Sequence, residues 1–186
     1  MTERRGYHHG NLREALIERA IALLDDGARP DAVSVRALAA NLGVSPAAPY
    51  RHFATGDALL AAIATRGFER LGDDLDAAGD DLERLGAAYL AFAVARPQLY
   101  RAMFALPRET AAGDPELAAA SGRAYARLRA AVERHHASGR GRLATPAATL
   151  AAWAYVHGLA SLAIDGLVAP EAMAEPGLTA VLTRGL

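Results

Sequence analysis

Apolar residues recur at three- and four-residue intervals in every segment of this chain long enough to read, and no stretch alternates like a half-buried strand for more than a few residues. That periodicity restricts the fold to helices packed on helices, an all-α architecture. With 186 residues, 52% of them hydrophobic, the chain can bury a real core, as one domain or as a small domain followed by a larger one.

Capping and breaking residues divide the pattern. Asn11 with Glu14 reads as the capped start of a first helix, whose Leu12, Leu16, Ala20, Leu23 and Leu24 share a face as far as Gly27. Gly27 to Asp31 is a turn-forming loop. Ser34 caps a short second helix reaching about Asn41, and Ser45, with Pro46 at the first helical position, opens a third. Thr55 caps a fourth, lever-like helix to about Leu71, and the Gly/Asp-rich piece from Gly72 to Asp81 reads as a joint. Beyond it helices are expected at 82–95, 97–105, 114–137 and 146–168, with a short one closing the chain. Asp114-Pro115 and Thr145-Pro146 each read as a cap followed by a first-turn proline. The expected division is a helical domain at 1–55 and a larger one at 56–186.

Between Val35 and Phe53 the residue types suit two short helices crossing at a tight turn. Gly43 stands where the chain reverses, Ala39 is small where the helices approach, and Leu38, Leu42, Val44, Pro49 and Phe53 pin the pair together. Ser45, Ala47, Ala48, Tyr50, Arg51 and His52 are left outward, short at one end and hydrogen-bonding at the other. Such a face fits a DNA major groove, its polar residues reaching phosphates while Ala47 and Ala48 meet thymine methyls. The helix N-terminus behind Ser34 can hold a further phosphate. Net charge is −1, but Ala32 to Gly56 contains no acid while carrying Arg36, Arg51 and His52. A plain three-helix packing unit would use the same pattern and stays open at this point. Pro49 conflicts with a regular third helix, because it lacks a backbone donor and disfavours helical Ala48.

The residues Ser-Val-Arg-Ala-Leu-Ala-Ala-Asn-Leu-Gly-Val-Ser (Ser34 to Ser45), Pro-Tyr-Arg-His-Phe (Pro49 to Phe53) and Asp-Ala-Leu-Leu-Ala-Ala (Asp57 to Ala62) resemble the TetR family of transcriptional regulators. Tyr7 to Arg13 and the run from Trp153 to Gly158 resemble a subgroup with a Trp, His and Gly signature in its C-terminal domain. The resemblance implies a homodimer on palindromic double-stranded operator DNA, with a small-molecule effector in the C-terminal domain loosening the grip. It implies phosphate contacts at Tyr50 and His52 and base-facing positions at Ser45, Ala47 and Ala48. With Ser34, Arg36, Pro46, Arg51 and Thr55 these form the expected DNA-binding set. One departure stands out: Gly56 occupies the place where the family usually has a lysine.

The expected pocket set is Phe92, Tyr100, Met103, Phe104, Tyr125, Trp153 and His157. Trp153 and His157, four apart, share a helix face, either as a packed Trp beside a hydrogen-bonded His or as the floor of a ligand site. Gly158 is expected to admit another helix closely.

No enzyme is expected: there is no cysteine, phosphate-cradling Gly loop or nucleophile elbow, and nothing calls for a cofactor. His8 with His9, and His135 with His136, are adjacent and share no helix face, so no metal is expected either. The second pair suits a helix C-terminus. Asp73, Asp74, Asp76, Asp80 and Asp81 lack calcium-loop spacing and read as a solvated linker. The apolar stretch from Ala147 to Val168 carries Thr149, His157, Ser161 and Asp165, which favours a helix buried on two sides over a membrane span. No secretory signal opens the sequence, and a cytoplasmic location is expected.

Overall fold

The stripes read from the sequence become packed faces. A computed structural model of the chain describes residues 12–139, 143–173, 175 and 177–184, and every regular element among them is helical. Helix α1, Leu12–Asp25, buries Leu16, Ile17, Ala20, Ile21 and Leu24; Asn11, its expected cap, lies outside the described residues, as do His8 and His9. A single 3-10 turn at Pro30–Ala32 leads to α2, Val35–Asn41, where the Ser34 hydroxyl accepts the Ala37 N–H at 3.2 Å.

The segment after α2 departs from a regular third helix. Ala48 N–H donates to Ser45 C=O at 3.0 Å, and a 3-10 turn follows at Pro49–Arg51, closed by His52 and Phe53 N–H on Pro49 C=O at 2.9 Å each. Two prolines within four residues remove the donors that an α-helical register would need, so the segment is a series of tight turns.

Helix α3, Gly56–Ala78, overrides the expected joint. Leu71 and Leu75 continue its buried stripe past Gly72, and Arg127 on a later helix binds Asp76 at 2.9 Å, so the helix persists until Gly79 takes φ +80°. Asp73, Asp74 and Asp76 therefore lie on α3, and of the expected linker acids Asp80 and Asp81 stand in the short turn that follows it. Asp81 caps α4, Leu82–Ala95, by accepting the Arg84 N–H. Next come α5 (Pro97–Met103), an unforeseen α6 (Arg108–Gly113), α7 (Pro115–Ala137, capped by Asp114) and α8 (Thr145–Ile164). Short α9 (Pro170–Met173) and α10 (Val181–Arg184) follow. Thr145 is the first helical residue of α8 and not its cap.

Helix α3 runs through the middle, packed on α4, α5 and α7, while α8 lies on α4 and α7, and α5 reaches back to α1. One hydrophobic cluster joins Leu16 and Leu38 at one end to Val156 and Leu182 at the other. On its outer side α1 is fastened to α3 by ion pairs: Arg66 to Glu14 (2.6 Å) and Glu18 (2.8 Å), and Arg70 to Glu18 (2.7 Å). By length and composition α8 could cross a membrane, yet it buries Ala148, Ala152, Val156 and Ala160 against its neighbours and leaves Leu150 and Leu162 outside. Within one chain it is covered on one side only.

The close helix approaches are not at Gly158, which has open space where a Cβ would stand, but at Gly86 and Gly67. A Cβ on Gly67 would lie 2.6 Å from Met103 Cγ, where α3 crosses α5. Gly67→Val is expected to lower stability by about 1–3 kcal/mol through overpacking. Gly72→Ala, with nothing within 4 Å of the added carbon, should instead raise it slightly; thermal unfolding of both variants tests the contrast.

Candidate functional site

Two regions concentrate exposed or cavity-facing chemistry, one at each end of α3. At the first, Gly43 adopts φ +65° and turns the chain from α2 into the 45–53 segment, while buried Val35, Leu38, Ala39, Pro49 and Phe53 hold that segment onto α1. Their burial turns Ser45, Pro46, Ala47, Tyr50, Arg51 and His52 outward, with Ala48 partly covered. Tyr50 is 51% exposed, a large exposure for an aromatic residue, and has no hydrogen-bond or ring partner among the described residues. Ser34, Arg36 and Thr55 are exposed on the same stretch of chain. Thr55 Oγ1 accepts the Ala58 N–H at 3.1 Å, capping the 23-residue α3, and its own hydrogen remains available to an outside acceptor. Among the described residues Arg36 and Arg51 form no ion pair, unlike Arg66 and Arg70.

The second region is a cavity of about 630 Å³, partly open to solvent and lined mainly by α3, α4, α6, α7 and α8. Phe68, Leu71 and Leu75 of α3 form one wall, with Leu117, Tyr125 and Leu128 of α7 facing them. Of the seven expected pocket residues, Met103, Phe104, Tyr125 and Trp153 line it. Phe92, Tyr100 and His157 do not: Phe92 is core, under the Arg96 guanidinium at 5.8 Å, and the other two lie behind the lining. There Tyr89, which does line the cavity, meets Tyr100 hydroxyl to hydroxyl at 2.9 Å. His157 Nδ1 stands 2.7 Å from the Tyr100 hydroxyl and 3.2 Å from that of Tyr89. Phe104 and Trp153 flank the imidazole with ring centroids at 4.7 and 5.8 Å. Burial pushes both phenols up and the imidazole down from their ordinary pKa values, so all three are neutral near pH 7. Among the described residues no group of His, Asp and Glu is arranged to hold a metal.

Comparison with known proteins identifies the frame. A family model for bacterial regulatory proteins of the tetR family matches residues 16–63, and one for the tetracyclin repressor-like C-terminal domain matches residues 82–184. The chain belongs to the TetR family. Its first matched part is the DNA-binding helix-turn-helix domain of a transcriptional regulator. Among solved structures it resembles a protein of unknown function from Rhodococcus sp. RHA1, at 33% identity over 98% of each chain and a TM-score of 0.78. It also shares its fold with the TetR family transcriptional regulator PfmR from Thermus thermophilus, at 24% identity, covering 92% of this chain and 98% of that one, with a TM-score of 0.65. No curated protein matches the chain by sequence.

For this TetR-family chain the sequence singled out the aromatic part of the cavity and passed over Phe68, Leu71, Leu75, Arg108 and Ser121. Phe68 and Leu71 read as core stripe, since a stripe facing a void has the same period as one facing a neighbour, and Leu75 fell within the expected joint. Arg108 lies on α6, a six-residue helix too short to register as periodic.

The Tyr89–Tyr100–His157 group has a measurable pH signature. A depressed folded-state pKa means that the unfolded chain binds a proton first as pH falls. Stability contributed by neutral His157 is therefore complete above about pH 6.5 and declines as pH drops below the unfolded value. Thermal midpoints across this range should fall less in His157→Gln than in the parent; identical slopes would remove His157 as the source.

Proposed function

We propose that this TetR-family chain is a ligand-responsive repressor, acting as a cytoplasmic homodimer on a palindromic operator and not as an enzyme. The observation that carries this reading is that α3 is common to both regions: Thr55 caps it at the outward 45–53 turn, and Phe68, Leu71 and Leu75 further along it wall the cavity. In this reading residues 1–55 grip DNA and 56–186 sense and dimerise. Ser34, Arg36, Tyr50, Arg51, His52 and Thr55 meet the backbone, while Ser45, Pro46, Ala47 and Ala48 approach base edges.

The uncovered side of α8, with Leu150 and Leu162 exposed, supports a partner subunit there. A ligand in the cavity presses on the wall formed by α3 and shifts it, moving the two reader turns out of register with half-sites about 34–36 Å apart. The deciding experiment measures binding to DNA flanking the chain's own gene at two salt concentrations, with His52→Ala beside the parent. Tight, sequence-dependent, salt-sensitive binding lost in the variant supports the reading. Absence of binding there and to duplexes selected from a random pool refutes it.

Gly56, the first residue of α3, has nothing within 4 Å of where a Cβ would stand. Gly56→Lys should therefore fold normally and tighten binding, steepening the salt dependence by about 0.9 for each further phosphate neutralised. Unchanged affinity and slope would place this helix start away from the backbone.

A further inference from the structure

The chemistry of the cavity narrows what can occupy it. Its lining is apolar almost throughout, and two of its three hydroxyls are committed: Ser121 donates to Leu117 C=O at 2.8 Å, and the Tyr89 hydroxyl pairs with that of Tyr100, while Tyr125 is exposed. A ligand body carrying several hydroxyls or amides would leave them without partners. Among the described residues no Asp or Glu lines the cavity. Arg108 is the one charged lining residue among them, exposed at the first turn of α6, and no acid or carbonyl among the described residues engages it. Nearby acids are otherwise placed: Asp114 caps α7, Glu116 binds Arg13 at 3.1 Å, and Glu109 follows Arg108 directly, so the two do not face each other on the helix. A mostly apolar cavity thus carries, at an exposed lining position, a residue whose guanidinium offers five donors and no acceptor of its own.

We propose that the cavity takes an amphipathic monoanion, an apolar body ending in one carboxylate, with the body among Phe68, Leu75, Tyr125 and Trp153 and the carboxylate on Arg108. This rests on the reading of the cavity as the effector site and adds the ligand's chemical class. The competing occupant is a lipophilic cation held by Phe104, Tyr125 and Trp153, which an aromatic lining would favour and Arg108 would oppose.

Trp153 is the chain's single tryptophan and lines the cavity, so its fluorescence reports occupancy without a label. The probes are dodecanoate, dodecan-1-ol and dodecyltrimethylammonium, all below their aggregation thresholds, titrated into the parent, Arg108→Ala, Arg108→Glu and Arg108→Lys. Dodecanoate is expected to change Trp153 emission saturably and to bind about tenfold more weakly to Arg108→Ala, as loss of a charge-assisted hydrogen bond implies. Arg108→Glu should weaken it further, Arg108→Lys should retain most of it, and dodecan-1-ol should bind all four alike. Alcohol or ammonium binding the parent as tightly as dodecanoate, dodecanoate indifferent to Arg108→Ala, or no saturable change with dodecanoate would each overturn the proposal. DNA release is scored separately. Arg108-dependent dodecanoate binding without release supports the ligand class and counts against the effector reading. Release by a neutral probe in the parent and Arg108→Ala alike keeps the effector reading and discards the monoanion.

Discussion

Arg36→Glu combined with Arg51→Glu is expected to weaken operator binding at least a hundredfold near physiological salt and to flatten its salt dependence. Both arginines are exposed, one in the first turn of α2 and the other in the 3-10 turn, and neither is ion-paired among the described residues, so reversing them disturbs no ion pair there. Their effect on stability should stay within about 0.5 kcal/mol. In a dimer the pair removes four cations from the backbone, and at about 0.9 per phosphate the slope of log affinity against log salt should fall by about 3.6. Arg70→Ala is the matched control. That side chain binds Glu18 and Asp25, so its loss should loosen the clamp between α1 and α3 and leave the salt slope unchanged. Measuring affinity of all three proteins across a salt series separates the cases. A slope unchanged by the double reversal would move the phosphate contacts elsewhere on the chain.

What the sequence disclosed depended on how local each cause was. The start of α7 follows from Asp114 accepting a nearby N–H, and α4 runs over the span its pattern indicated, since such signals act within one turn. The run from Gly72 to Ala78 misled because Asp and Gly weaken a helix locally, whereas what keeps it helical is tertiary: Leu75 buried in the core and Asp76 paired with Arg127, far along the chain. At the reader turn the conflict was visible in advance. Pro49 was incompatible with a regular helix, and the tight turns are how the backbone accommodates it while Pro49 and Phe53 remain buried. The cavity was only half legible. Aromatic residues announce themselves by type, but whether a side chain lines a void or lies behind its lining depends on helix rotation, which separated Trp153 from His157 although they share a face.

Leu99→Ala is expected to have the largest effect on the fold, because this fully buried side chain lies on the helix that joins α3 to α1. Helix α5 carries it against α3 and also touches α1 and the 3-10 turn at Pro30–Ala32. Truncation there should cost about 2–5 kcal/mol, the usual range for a buried leucine whose surroundings collapse only partly. For a chain of this size that is a fall in thermal midpoint of about 2–4 °C per kcal/mol. The sharper expectation concerns how the loss is distributed. The core cluster is continuous from α1 to α10, so the proposed boundary at 55/56 divides function without dividing the core, and α1 and α8 should lose amide-exchange protection together. Faster exchange confined to α1 would instead show that the DNA-gripping end opens as a separate unit. In the proposed reading the distinction bears on signalling: an end that shares the Leu99 packing with the cavity-lining helices can be moved by a displacement there through α3 or α5, whereas one that opens independently would be coupled to the cavity only through its own folding equilibrium.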